Sequence, residues 1–204
     1  MKKIGITGSM GSGKTFISMQ FASLGVPVLI MDQVVKQLQN TNEELISKIK
    51  KRFPGSYDGN VMNKKFMIQK LFFDDTGENL KDISEIVKPF LRDELDKFYK
   101  EHQNKKYVLV ESALIYEYGF QDQFDQIIFV NSDSQVRKKM AMKRDQISSK
   151  EYDRRMKTQL PDEFKIENSN LVIENDYTEN VFEQVKKIHE LIWHKKIESF
   201  SNQL

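Results

Sequence analysis

The chain opens on a short β-prone run, Ile4 to Thr7, that stops at Gly8. Beyond a glycine-rich stretch, Ile17, Phe21 and Leu24 recur at i, i+4 and i+7, and Gly25 follows in the position of a helix C-cap. That spacing predicts an amphipathic helix. Val26 to Met31 is an unbroken apolar run, the pattern of a strand covered on both faces in a parallel sheet. Pro27 near its start is tolerated, because the first residues of a strand need not donate to the ladder.

From about Asp32 to Glu101 the period turns helical. Leu45, Ile46, Ile49 and Phe53 form one stripe, stopped by Pro54-Gly55. Phe66, Met67, Lys70 and Leu71 lie on a second. Ile83, Val87, Phe90, Leu91, Leu95 and Phe98 make a third, which Pro89 is expected to kink. Asp58-Gly59-Asn60 and Asp74 to Asn79 read as turns. No strand candidate of comparable strength interrupts the stretch, so residues 32–101 read as a helical insertion.

β-rich runs return at Tyr107 to Glu111, at Gln126 to Val130 and, more weakly, at Asn170 to Ile173. Between the last two lie a charged helical segment, Gln135 to Asp145, and a polar loop and helix reaching about Glu167. Val181, Val185, Ile188 and Ile192 mark a C-terminal helix. Strands alternating with helices predict a doubly wound α/β fold around a parallel sheet. Residues 1–31 and 102–204 would form its core.

At 204 residues the chain suits a single domain able to bury a core. With 39% hydrophobic and 30% charged residues it is too apolar for a disordered chain and has a well-solvated surface. A net charge of +2 sets up no global field, so neither nucleic acid nor an anionic membrane is an expected partner. There is no cysteine, which excludes disulfides and thiolate zinc and suits a cytoplasmic location. His102, His189 and His194 make no metal-ligand pattern: the last two are five apart on a helical stretch, off the i,i+4 spacing, and surface positions are expected. No apolar run reaches the length of a membrane span, and Met1-Lys2-Lys3-Ile4 leads into a strand pattern rather than a signal peptide.

The strongest chemical signal is Gly8-Ser9-Met10-Gly11-Ser12-Gly13-Lys14-Thr15, which fits G-x-x-x-x-G-K-[ST] at every fixed position, between a predicted strand and a predicted helix. The glycines let the backbone curl until successive N–H groups point at one phosphate chain, and the helix that follows adds its positive end. Gly8, Gly11, Ser12, Gly13, Lys14, Thr15 and Phe16 are therefore the candidate ATP cradle. Lys14 can reach the β- and γ-phosphates, and the Thr15 hydroxyl can ligate Mg²⁺.

Phosphoryl transfer also needs an oriented acceptor. Asp32 follows the second strand, where ligands gather in open α/β sheets, and its carboxylate could take the proton of a substrate hydroxyl or simply cap the next helix. Glu111 ends the third strand; it is a water-mediated Mg²⁺ ligand or a solvated strand-end acid. The segment from Arg137 to Lys157 carries nine basic residues, among them Arg144 and Arg155 on either side of Gln146 to Ser149. It reads as solvated helix faces, as a lid over ATP whose arginines offset developing charge, or as an RNA-binding patch. The patch reading is weakened because Tyr152 is the one aromatic residue in the segment.

Later elements, in order, resemble dephospho-CoA kinases over nearly the whole chain. Gly25 to Asp32 is similar to the family's second strand ending in D-x-D, and Asp58-Gly59 resembles a turn before the helix that leads to Phe72-Phe73. Lys88-Pro89 occupies a His-Pro position, and Ser112-Ala113-Leu114-Ile115-Tyr116-Glu117 stands for a P-L-L-F-E-like element. Lys143-Arg144-Asp145, then Arg155 to Pro161 as R-x-x-x-Q-x-P, then Lys165 and Ile173-Glu174-Asn175 continue the match. Departures fall at Ile30, where the first D-x-D carboxylate would stand, and at Lys88, Ala113 and Met140; they bear on acceptor choice and rate rather than on ATP binding.

The resemblance implies a P-loop kinase with a five-stranded sheet in the order 2-3-1-4-5, an acceptor-binding insertion at 32–101 and a mobile lid at 145–168. It implies transfer from ATP, with Mg²⁺, to the ribose 3′-hydroxyl of dephospho-CoA by a monomer or weak homo-oligomer. Asp32 would orient or deprotonate the hydroxyl, Lys14, Arg144 and Arg155 would steady the transferring group, and Glu117 with Lys88 would shape the acceptor site. A nucleoside monophosphate or sugar kinase, and a nucleotide-binding regulator with little transfer activity, are the rival readings.

Overall fold

In the computed structural model, which describes residues 1–176 and 180–194, the first strand becomes the centre of a sheet. β1 (Lys2–Thr7) leads through the glycine loop into α1 (Lys14–Ser23) and then to β2 (Val28–Ile30). α2 (Met31–Thr41) and α3 (Glu43–Arg52) follow, then the short strands β3 (Tyr57–Asp58) and β4 (Val61–Met62), α4 (Lys64–Phe72) and the long α5 (Glu78–Glu101). The chain returns to the sheet as β5 (Tyr107–Glu111) and, after a 3₁₀ turn at Gln121–Gln123, as β6 (Gln126–Asn131). It continues through α6 (Ser134–Asp145), α7 (Ser149–Met156) and α8 (Asp162–Glu167) to β7 (Leu171–Glu174) and ends in α9 (Asn180–His194).

The five long-range strands pair in parallel in the order β2-β5-β1-β6-β7, which is 2-3-1-4-5 when those five alone are counted along the chain. Strand alternation splits the core in two. Val108 and Val110 of β5 and Ile127 of β6 face α2 to α5. Tyr107, Leu109, Ile128 and Val130, with Ile4 and Ile6, face α1 and α9 through Ile17, Phe21, Val181, Val185 and Ile188. A sheet covered on both sides needs the near-continuous apolar runs that the sequence shows at its central strands.

Several helices begin where a short polar side chain takes up a free N–H of the first turn. Asn42 accepts from Leu45, Asn63 from Phe66, Asp133 from Gln135 and Val136, and Ser148 from Glu151. Such caps contribute on the order of 1 kcal/mol each.

Three expectations are corrected. The run from Val26 to Met31 yields only three strand residues, half-buried at the sheet edge, because Met31 already turns into α2. The segment 32–101 is not purely helical: the Asp58-Gly59-Asn60 turn closes a small antiparallel hairpin, Tyr57 opposite Met62. His189 is half-buried rather than superficial, its Nδ1 2.7 Å from the Tyr107 hydroxyl. Among the described residues no helix is long and apolar enough to cross a membrane.

Candidate active site

The glycine loop joins the C-terminal end of β1 to the first turn of α1, and its glycines are required by space as well as by backbone angle. Gly11 has φ 88°, and a Cβ there would collide with the Arg137 carbonyl of α6. Gly13, at φ 86°, is the N-cap of α1 and has no side chain to bond the first-turn amides. Serine or aspartate at that position would occupy those donors, whereas glycine leaves the amides of Lys14, Thr15 and Phe16 for a ligand at the positive end of the helix. The Phe16 side chain itself is exposed, so only its backbone belongs to the cradle. The Ser12 hydroxyl is fully buried on the loop with no hydrogen-bond partner.

Lys14 is buried, and its ammonium donates to the Ser9 carbonyl at 3.2 Å. Burial lowers its pKa, opposed by the negative charges of Glu111 and Asp32. The Thr15 hydroxyl donates to Glu111 Oε2 at 3.0 Å, so the end of β5 and the start of α1 meet at one point. Glu111 is 2% exposed; burial pushes its pKa up, while Lys14 pulls it down. A hydroxyl and a carboxylate side by side are hard oxygen donors, the chemistry Mg²⁺ selects.

Asp32 is not an N-cap: Ile30 holds that position, and Asp32 lies in the first turn of α2 with its side chain exposed. Its charge is felt by Lys14, Glu111, Arg144 and Tyr118, whose hydroxyl burial pushes up to about 12. Those residues therefore lie within electrostatic reach of Asp32. Arg144 grips its neighbour Asp145 in a fork, with Nε and Nη2 each 2.8 Å from one carboxylate oxygen. Arg155 bonds Glu151 at 2.6 Å and stacks on Phe72. Beyond the loop, a cleft of about 900 Å³ separates Phe72 to Leu80 from Ser149 to Thr158.

Two residues expected to shape the acceptor site make contacts of their own. Glu117 faces inward: its Oε1 takes the ammonium of the fully buried Lys165 at 2.7 Å and the Leu160 amide at 2.9 Å. Lys88 lies against the Phe120 ring and 3.8 Å from Glu85.

The structure adds braces that no motif singled out as functional. Asp162 accepts from the Ser9 hydroxyl at 2.5 Å and pairs with Arg137, so the start of α8 is stapled to both the loop and α6. Gln159 accepts from the Met10 amide at 3.1 Å, and Asn175 donates to the Ser12 carbonyl at 2.8 Å. Asp162 reads in sequence as a first-turn acid after Pro161, which gives no sign of its reach to Ser9. Gln159 and Asn175 carried part of the family resemblance, and here they support the phosphate loop.

The chain as a whole is similar to known proteins. The family model described as dephospho-CoA kinase matches residues 2–180. A dephospho-CoA kinase of Aquifex aeolicus is 32% identical over 93% of this chain and 97% of its own length. One from Zymomonas mobilis is 30% identical over 84% of this chain and 86% of its own. A crystal structure of a Thermus thermophilus protein superposes with TM-score 0.80 at 27% identity, covering 93% of this chain and 96% of the other. A Campylobacter jejuni dephospho-CoA kinase shares the fold at TM-score 0.57 and 20% identity, covering 94% and 97% of the two chains. With its phosphate loop, parallel sheet and match over residues 2–180, the chain belongs to the dephospho-CoA kinase family, ATP-dependent kinases that convert dephospho-CoA to coenzyme A.

Proposed function

We propose that this chain moves the γ-phosphate of ATP to the ribose 3′-hydroxyl of dephospho-CoA with the residues gathered at the mouth of the glycine loop. The observation that carries the reading is the meeting of Lys14, Thr15 and Glu111 at the start of α1, with the free Asp32 carboxylate near enough to act on them. Asp32 takes the proton of the 3′-hydroxyl as its oxygen bonds the γ-phosphorus, and the bond to the bridging oxygen breaks to leave ADP. Lys14 and the loop amides hold the β- and γ-oxygens throughout, and Arg144 and Arg155 offset charge on the transferring group. Thr15 and Glu111 are the residues that would hold Mg²⁺, which when bound shields the negative charge of the phosphates.

Residues 32–101 serve as the acceptor-binding insertion and 145–168 as the lid. Glu117 contributes by anchoring the lid root through Lys165 and Leu160, and Lys88 borders the loop after β5 at Phe120. The chain works in the cytoplasm as a monomer or weak homo-oligomer, its small net charge giving no pull toward nucleic acid or membrane.

The test is transfer from ATP and Mg²⁺ to dephospho-CoA, with AMP, CMP, adenosine and gluconate as parallel acceptors. Transfer confined to dephospho-CoA is the expected result. Transfer confined to another acceptor would overturn the substrate, and ATP binding without transfer to any would overturn the activity.

A further inference from the structure

α4 buries Met67 and packs Phe66 and Leu71 against the core under α2 to α5. The two aromatic residues at its end take no part in that core: Phe72 is half-buried and Phe73 is 40% exposed. Both rings instead face the lid helix α7. The Arg155 guanidinium lies 5.2 Å from the Phe72 ring centre, and that of Arg154 lies 4.4 Å from the Phe73 ring centre. Arg154 also approaches Asp75 at 3.5 Å, which ties it to the turn after α4. Arg155 is thus fixed on one edge by Glu151 and on one face by a ring, while its Nε is buried without an acceptor. A cation over a ring face gains attraction that an aliphatic side chain of similar size cannot supply.

We infer that Phe72 and Phe73 are positioning residues for phosphoryl transfer, a latch by which the acceptor-binding insertion sets the lid arginines. The inference rests on the reading of Arg155 given above. Phe72 orients the guanidinium so that its free edge meets the transferring phosphate, and Phe73 with Asp75 holds α7 against the insertion through Arg154. Because the rings belong to 64–77 and the arginines to the lid, a change in the insertion on acceptor binding moves the arginines with it. Both rings stand at the end of α4 and outside the glycine loop, so the latch acts on turnover and leaves nucleotide affinity alone.

The experiment is a double-mutant cycle in kcat with dephospho-CoA, using Phe72→Leu, Phe72→Tyr and Arg155→Ala, with thermal melting of each variant. Phe72→Leu is expected to lower kcat about fivefold with the KM for ATP unchanged, and Phe72→Tyr to keep kcat within about twofold. On the Arg155→Ala background Phe72→Leu should cost less than about twofold, since the residue it acts through is gone. The latch is overturned if Phe72→Leu keeps full kcat, if Tyr fails to rescue, or if the loss is undiminished without Arg155. Wild-type kcat in Arg155→Ala would instead remove the arginine assignment, and no transfer to dephospho-CoA by wild type would remove the function, each taking the latch with it. Phe72→Met, which keeps volume without the ring, runs the same cycle should the leucine variant melt early.

Discussion

At the scale of single residues, the site depends on charges kept where burial disfavours them. Lys14 is buried beside Glu111, each offsetting part of the other's desolvation. Lys14→Ala should lower kcat by about 10²- to 10³-fold, the cost of removing one preorganised group aimed at developing charge. Asp32→Asn should lower kcat by about 10²- to 10⁴-fold while equilibrium binding of ATP is spared, because the role proposed for that carboxylate is toward the acceptor hydroxyl; turnover at the wild-type rate would remove its assignment as base. Glu111 supplies a pH dependence. Burial raises its pKa above the usual 4.5, and only the carboxylate form binds a cation. Apparent Mg²⁺ affinity should therefore be full at neutral pH and fall as pH drops through that raised value, with the limb above 4.5. A titration of turnover against Mg²⁺ at several pH values checks this, and a limb at or below 4.5 would contradict it. These residues were legible because the glycine motif fixes its own geometry. Asp32 and Glu111 were half legible: strand ends were readable, but Asp32 sits two positions beyond the cap, and only the fold shows that Thr15 reaches Glu111.

At the scale of elements, the root of the proposed lid depends on one buried ion pair. Lys165 of α8 is fully buried and Glu117 nearly so, and one oxygen of Glu117 also holds the Leu160 amide. Glu117→Gln would leave the Lys165 ammonium without a counter-charge in the interior, a loss of about 3–5 kcal/mol in unfolding free energy. Glu117→Leu with Lys165→Met should recover much of that stability yet keep a reduced kcat, because the Leu160 amide has lost its acceptor and the lid root its anchor. Denaturant melts beside kcat measurements separate the two effects; a double variant with wild-type kcat would show that the pair serves stability alone. The sequence carried no sign of this pairing: the resemblance put Glu117 at the acceptor site and marked Lys165 only as a matching position, and nothing in their spacing links the two. The hairpin at Tyr57–Met62 escaped for a related reason: two-residue strands are too short for a period to register, so only their turn was visible. The helical stripes and the central strands were legible because burial on one helix face, or on both sheet faces, imposes a pattern over many residues.

At the scale of the whole molecule, the chemistry occupies one end of the sheet and a separate clasp holds the other. β5 ends at Glu111, in the site, and begins at Tyr107, whose hydroxyl meets His189 of α9. Lys2 bonds the Ile192 carbonyl nearby, so α9 is fastened at the same end to β1 and β5. Burial lowers the His189 pKa below 6.5; Glu190 opposes the shift and His194 adds to it. The sign follows from proton counting: below 6.5 the unfolded chain takes up a proton that folded His189 resists. Stability from this group is therefore complete above pH 6.5 and is lost progressively as pH falls toward the depressed value. In the tautomer with its proton on Nε2, neutral His189 accepts the Tyr107 hydroxyl proton at Nδ1, an acceptance that protonation ends. The melting temperature of wild type should thus decline below pH 6.5 more steeply than that of His189→Phe, which cannot titrate there. The comparison at each pH cancels the other ionisable groups. kcat should not separate the two proteins at any pH, because the clasp and the phosphate loop lie at opposite ends of the strands. Equal pH slopes in melting would remove His189 from the stability balance, and a kcat difference confined to low pH would mean that the sheet transmits the loosening of α9 to the glycine loop.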